Sequence, residues 1–165
     1  NSLITELLNS SKPAQLVMGS ISINTITLEA IKLVQDRIIL HGVELVTKLS
    51  NDICDIKIDA EKIKIALLNI LVNAVEAMEE GKGKLEVTTR GEGEWCVIEI
   101  SDNGSGIPAD KIDSIFDPFF SGKPKGTGLG LSTTHNIIRS HNGIIDVTSV
   151  PGKGTKFTVK IKFNN

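Results

Sequence analysis

Asn69 and Asn73 stand four residues apart, so on a helix their amides project from one face, a turn from each other. The residues around them, Leu68, Ile70, Val72 and Ala74, are apolar, and an amide on a buried stripe costs free energy unless it is hydrogen-bonded. Two aligned amide oxygens suit Mg2+, a hard cation that takes oxygen ligands and keeps several waters. A pair of satisfied structural amides is the other reading. A second constellation runs Glu99-Ile-Ser-Asp102-Asn103-Gly104-Ser-Gly106-Ile107-Pro108. It reads as a strand ending on an acid, followed by a glycine turn. An Asx-turn would account for Asp-Asn-Gly. A carboxylate fixed there also accepts from the exocyclic amine of adenine and repels the carbonyl oxygen that guanine carries in its place. The glycines would let a flat ligand approach the backbone.

Further along, Gly126-Thr127-Gly128-Leu129-Gly130-Leu131-Ser132 leads into a helical pattern, with Lys123 and Lys125 just upstream. Backbone N–H groups at a glycine-rich helix start cradle phosphates. The run is neither a GxxxxGK[ST] loop nor a GxGxxG fingerprint, and a flexible surface loop has the same composition. Between the second and third segments lies Ile115-Phe116-Asp117-Pro118-Phe119-Phe120, which holds three of the five phenylalanines. It reads as a hydrophobic plug able to anchor a mobile lid over residues 121–129. Gly152-Lys153-Gly154-Thr155, by itself, is only a turn.

These segments need elements to position them. Leu3, Leu7 and Leu8 mark a short amphipathic helix over residues 1–10, and residues 19–23 suit a short strand. Helical spacing of Ile26, Ala30, Ile31, Val34, Ile38 and Ile39 predicts a helix over 25–41, stopped by Gly42. Strands follow at 43–49 and 56–58. Asp59 then N-caps a long helix over 60–80, ended by Gly81. A hairpin is expected from 85–90 and 95–101 around Gly91-Glu92-Gly93, a helix over 129–140, and a last hairpin from 144–149 and 155–163 turning at Pro151 to Gly154. Helices interleaved with hairpins make an α+β chain. The expected architecture is a two-layer α/β sandwich with a mixed, mostly antiparallel sheet packed on helices.

Composition sets the outer bounds. The chain has 165 residues, 40% hydrophobic and 23% charged, ordinary for a globular domain and incompatible with wholesale disorder. A net charge of -2 lacks the basic excess of a duplex-nucleic-acid binder. Aromatics at 4%, with one Trp and no Tyr, leave too few rings for a base-stacking platform, so no nucleic-acid partner is expected. Two cysteines, Cys54 and Cys96, are too few for a disulfide framework and read as two buried thiols in a reducing compartment. No apolar run approaches the ~20 residues of a membrane span, so no membrane contact is expected of this chain.

Taken in order, Asn69/Asn73, Asp102 to Gly106, Phe116 to Phe120, Gly126 to Leu131 and Gly152 to Thr155 resemble the N box, first glycine box, F box and second and third glycine boxes of sensor histidine kinases. Those kinases belong to the wider ATPase superfamily of gyrase, heat-shock chaperone, histidine kinase and mismatch-repair protein. The resemblance covers residues 20–163, and five ordered motifs make it specific. Asn73-Ala-Val-Glu-Ala-Met78 and the short gap between Lys123 and Gly126 look most like the nitrogen-regulatory and sporulation-type kinases.

The resemblance implies the Bergerat fold, with ATP and Mg2+ held between the long helix, the lid and the sheet. Asn73 would supply the metal's oxygen ligand, and Asn69 would sit near the phosphates, directly or through water. Asp102 would accept from the adenine amine, Gly104 and Gly106 would admit the base, and Thr155 would support Asp102 or a bridging water. Gly126, Gly128 and Gly130 would wrap the triphosphate, and Lys123 would reach it. Ile107, Phe120, Thr127, Leu129 and Leu131 complete the implied nucleotide set, and Phe119 and Phe120 would hinge the lid. The γ-phosphoryl would go to a histidine on a separate dimerisation domain and then to a response regulator receiver domain.

His41, His135 and His141 lack the acceptor sequence of that family and read as surface or capping histidines. The expected organisation is therefore residues 1–15 as a remnant of the dimerisation and phosphoacceptor helix with its linker, and 16–165 as the catalytic ATP-binding domain. The expected location is cytoplasmic, within a homodimeric parent that could be membrane-anchored, while the fragment itself could be monomeric. Two other readings stay open: an ATP hydrolase of the same superfamily, and a non-catalytic ATP-gated binding module.

Overall fold

A computed structural model describes residues 16–118 and 130–163. The helix expected over 1–10, the lid at 121–129 and the chain terminus fall outside them. The elements run β1 (Gly19–Ile21), α1 (Ile23–Leu40), β2 (Glu44–Leu49), β3 (Ile56–Ile58), α2 (Ala60–Ala77), β4 (Lys84–Glu92), β5 (Trp95–Asp102), a 3-10 turn (Ile112–Ser114), α3 (Gly130–Ser140), β6 (Ile144–Val150) and β7 (Gly154–Lys162).

Five strands form one sheet in the order β2-β4-β5-β7-β6, and β1 pairs with β3 in a separate two-stranded ribbon. Both hairpins are antiparallel, as are β5 and β7. β2 pairs with β4 in parallel. That pairing follows from the chain between them: α2 carries it back over the sheet, and a crossover of this length is what parallel neighbours require. The expected mixed, mostly antiparallel sheet packed on helices is thus observed.

One face of the sheet is apolar and covered by the helices. Ile63, Leu67, Ile70 and Leu71 of α2 pack into a single core with Val87, Ile98, Ile100 and Val159 of the sheet and Ile26, Ala30 and Val34 of α1. α2 is the central helix, in contact with both α1 and α3. The opposite face carries charge: Lys48–Glu86, Arg90–Glu99 and Lys156–Glu99 pair across the strands, and Arg90–Glu92 pairs along β4. Exposed pairs of this kind contribute little each. Val97 on that face is nevertheless buried. Its register neighbours are Arg90 and Lys160, whose side chains carry apolar stems beside their charge.

One helix end and one strand turn differ from the sequence expectation. α2 stops at Ala77 rather than 80, because Met78 turns extended (φ -91°, ψ 150°), buries its side chain and sets its sulfur over Gly83. His41 then holds this end: its Nε2 donates to the Met78 carbonyl at 2.6 Å, and its own carbonyl accepts from Gly81 at 2.9 Å. The β4–β5 turn sits one residue later than expected, at Gly93, where φ is +63° and glycine avoids strain.

His141 is not a surface histidine. It is 1% exposed and joins the end of α3 to the start of α2. Nδ1 lies 2.8 Å from the Ile137 carbonyl and Nε2 accepts from the Asp59 amide at 3.0 Å. These partners require the neutral Nδ1–H tautomer. Asp59 in turn caps α2 through Lys62 N–H and also accepts from Val17 N–H. His141→Ala is expected to destabilise the fold by about 2–3 kcal/mol, since it leaves the buried Asp59 N–H without this acceptor. A urea melt checks this: a midpoint unchanged from wild type would remove His141 from the structural frame.

Cys96 is buried under the helical layer, and burial pushes its thiol up to about 12. Cys54, expected to be buried as well, is exposed. Alkylation of the native chain at mildly alkaline pH should therefore modify Cys54 alone, with Cys96 reacting only after denaturation.

Candidate nucleotide site

The inner face of the sheet is built in rungs. Val147, Phe157, Ile100 and Val87 stand side by side across β6, β7, β5 and β4. The rung two residues beyond is Ser149, Thr155 and Asp102 across β6, β7 and β5. An apolar sheet face thus ends in a row of oxygen-bearing side chains. Asp102 is 8% exposed, and its Oδ1 accepts from the Gly104 amide at 2.8 Å. Burial raises its pKa above the ordinary carboxylate range, and the backbone amides of Gly104 and Thr155 work against that rise. Thr155 therefore supports Asp102 through its main chain.

The loop after Asp102 is clamped between α2 and the last hairpin. Ser105 N–H donates to the Ala77 carbonyl at 3.0 Å, and Gly152 N–H donates to the Ser105 carbonyl at 2.7 Å. A Cβ on Gly104 would stand 2.5 Å from the Ala77 carbonyl oxygen, and one on Gly106 (φ +76°) 2.4 Å from that of Val150. Protein backbone, not open space, occupies the room these glycines leave. Gly154 is tighter still: a Cβ there would meet the Asp102 carbonyl oxygen at 2.0 Å. Ile107 N–H donates to Ser149 Oγ at 2.7 Å, which ties the loop to β6.

α2 spans the site. Asn69, Asn73 and Ala77 recur every four residues along one stripe. At one end Asn69 Nδ2 donates to the Gly130 carbonyl at 3.0 Å and to Thr134 Oγ1 at 3.3 Å, holding the first turn of α3. At the other, Ala77 touches the Gly104 loop. Asn73 lies midway and is half-buried. Leu131 packs against the core from the same turn of α3 as Gly130. Phe116 stacks on His135 (5.1 Å, 22°) and meets Phe157 edge-on. Burial and, second, Arg139 hold His135 below the usual imidazole range.

Asp102, Gly104, Gly106, Ile107 and Thr155 thus converge in one corner, and Asn69, Gly130 and Leu131 in another, with Asn73 between. Phe119, Phe120, Lys123, Gly126, Thr127, Gly128 and Leu129 lie outside the described residues. A cleft of about 310 Å³ opens beside the first corner, lined by Ala77, Met78, Glu79, Asn103, Gly104, Ser105 and Gly152. It reaches Gly104 but not Asp102, Asn69 or Asn73, so the polar corner and not this cleft marks the site. Ala77 and Ser149 were missed in the sequence. Ala77 was recoverable from its i+4 spacing to Asn73, whereas Ser149 has no local signal.

Among the described residues, no cluster of three or more His, Cys, Asp or Glu side chains is arranged to hold a metal. One amide oxygen from Asn73 fits a Mg2+ that arrives on a triphosphate, because this ion is commonly bound by few protein ligands together with substrate phosphates and water.

Residues 58–165 match the family described as histidine kinase-, DNA gyrase B-, and HSP90-like ATPase. The chain belongs to this family. Among curated relatives, the signal transduction histidine-protein kinase AtoS of Escherichia coli K12 is 39% identical over 165 residues, covering 99% of this chain and 27% of AtoS. The sensor histidine kinase ZraS of the same strain is 35% identical over 164 residues, again 99% of this chain and 35% of ZraS. The chain therefore spans about a third of the length of such relatives. The solved catalytic domain of histidine kinase ThkA superposes with a TM-score of 0.82 at 28% identity, covering 90% of this chain and 97% of that one. ThkA in complex with the response regulator TrrA gives 0.84 at 26%, covering 99% and 47%. Among the described residues of this family member, no helix is long and apolar enough to cross a membrane.

Proposed function

We propose that this chain is the catalytic ATP-binding domain of a two-component sensor histidine kinase, which binds Mg2+-ATP and delivers the γ-phosphoryl group to a histidine on a separate dimerisation domain. The phosphoryl group then passes to the receiver domain of a response regulator, as the ThkA–TrrA complex suggests by likeness. The observation that carries this reading is the buried Asp102 carboxylate at the end of β5, on a family scaffold that leaves Asn rather than Glu at position 69.

The residues divide the work. Asp102 accepts from the 6-amino group of adenine, and Gly104 and Thr155 hold the carboxylate through their backbone amides. Ile107 and Leu131 supply apolar walls. Asn69 spends its N–H groups on α3, so what it offers the nucleotide is its oxygen, suited to metal-bound water rather than to phosphate. Asn73 holds the Mg2+, whose charge offsets that of the phosphates. By the motif match, Gly126, Gly128 and Gly130, with Thr127 and Leu129, would bind the triphosphate, with Lys123 and Phe120 completing the set. In the transfer, an imidazole nitrogen bonds to the γ-phosphorus as the bond to the bridging oxygen breaks and ADP leaves. A neutral imidazole needs no strong base, and Asn69 cannot act as the base that hydrolysis of water would need.

None of the chain's own histidines can be the acceptor. His41 and His141 are bound to backbone partners, and His135 lies under Phe116. In-line approach needs an imidazole within about 3–3.5 Å of the γ-phosphorus. Incubation of this chain with γ-labelled ATP should therefore leave no acid-labile label on it. Addition of a dimerisation domain bearing an acceptor histidine should give label on that domain, inefficiently because the tether is missing. Label on His41, His135 or His141 would overturn this reading. Steady phosphate release without transfer would point to a hydrolase instead.

A further inference from the structure

Ser149 stands at the centre of a hydrogen-bond hub behind the polar corner. Its Oγ is 2.7 Å from the Ile107 amide, 2.9 Å from the Gly154 carbonyl and 2.9 Å from Thr155 Oγ1. A hydroxyl has one proton and two lone pairs. The Ile107 amide can only donate and the Gly154 carbonyl can only accept. Ser149 must therefore give its proton to Gly154 and take one from Ile107. Its remaining lone pair faces Thr155, so the Thr155 hydroxyl must donate to Ser149. No other assignment satisfies all three contacts.

The consequence falls on Thr155. Its single hydroxyl proton is directed away from Asp102, toward β6, and only lone pairs remain for the site. Thr155 is 6% exposed and is the register partner of Asp102 on the same sheet face. The corner then presents two acceptors side by side, a carboxylate and an oriented hydroxyl oxygen, with no side-chain donor between them among the described residues. Such a surface suits a base that carries an amino group, met directly or through one water, and disfavours a base with a carbonyl oxygen there.

We propose that Ser149 is a positioning residue for base selection, which locks the Thr155 hydroxyl as an acceptor and fixes the Ile107 backbone beside it. The proposal rests on the nucleotide-binding reading of the site. Ser149→Ala frees the Thr155 proton to turn toward the base, where it can donate to a carbonyl oxygen.

The test compares ATP with inosine triphosphate, which replaces the 6-amino group by a carbonyl oxygen. Binding of both to wild type, Ser149→Ala, Ser149→Thr, Thr155→Val and the Ser149→Ala/Thr155→Val double variant is measured by calorimetry. Ser149→Ala is expected to lower the ATP-over-inosine preference about 10-fold, the worth of one oriented hydrogen bond. Ser149→Thr should restore it, because the hydroxyl returns on a residue that strands accept. Thr155→Val should lose it too while keeping the amide that supports Asp102. The double variant should then lose no more than Thr155→Val alone, since the two residues act as one unit. Should Ser149→Ala not fold, Ser149→Cys, a poor hydrogen-bonding isostere, takes its place. An unchanged preference in Ser149→Ala, equal weakening of both nucleotides, or additive losses in the double variant would each overturn the role of Ser149. Failure of the wild-type chain to bind ATP would instead remove the nucleotide reading itself.

Discussion

Asp102→Asn is expected to lower ATP affinity about 100-fold, because it exchanges a charge-assisted acceptor for a donor that faces the adenine amine. The variant should stay folded: the asparagine oxygen can still accept from Gly104, and a buried charge is removed. Affinity and stability therefore move independently. Burial raises the Asp102 pKa, with Gly104 and Thr155 opposing. The neutral carboxyl then favours the fold below the ordinary carboxylate pKa, and this contribution is lost as pH rises through the raised value. Binding runs the other way, since the amine needs the charged acceptor. ATP affinity of the wild type should fall on acidification, beginning above the usual carboxylate range, and Asp102→Asn should lack that component. Calorimetry across pH checks both, and wild-type affinity in the variant would take Asp102 out of the base site.

Asn73→Ala should lose most Mg2+-dependent ATP affinity or phosphotransfer, about 100-fold, while remaining folded. The amide lies midway along α2, whose inner stripe is held by Ile63, Leu67, Ile70 and Leu71 regardless of residue 73. A metal that keeps most of its waters and phosphate ligands loses, with Asn73, its anchor to the protein. The discriminating measurement is affinity with and without Mg2+, set beside a urea melt. A variant with a lowered unfolding midpoint but unchanged affinity and rate per folded molecule would make Asn73 a structural amide. Asn69→Ala should behave differently, because its N–H groups hold the first turn of α3 and their loss loosens that contact as well.

Much of this protein is legible in one dimension. Helical spacing in α1 and α2 and alternation in β4 to β7 report which side of each element is buried, since both periodicities are local properties of the backbone. The Asn69/Asn73 pair and the Asp102 to Gly106 turn could be read for the same reason: each is a short segment whose chemistry depends on neighbours within a turn of it. Periodicity names a buried face but not what covers it. The parallel pairing of β2 with β4, the β1–β3 ribbon and the early end of α2 at Met78 were decided by packing between segments distant in sequence.

The tightest glycines make the same point. Gly104 and Gly106 suggest a ligand when read alone, yet Ala77 and Val150 fill the space a Cβ would need. His141 looks like a helix-end histidine until its ring meets Asp59 from 82 positions away. Ser149 becomes visible only when β6, β7 and the loop after β5 bring Ile107, Gly154 and Thr155 to one oxygen. Residue types and local periodicity set the chemical groups available and the elements that carry them. Tertiary structure decided which donor meets which acceptor, because a hydrogen bond depends on distance and direction in space, and neither is encoded by position along the chain.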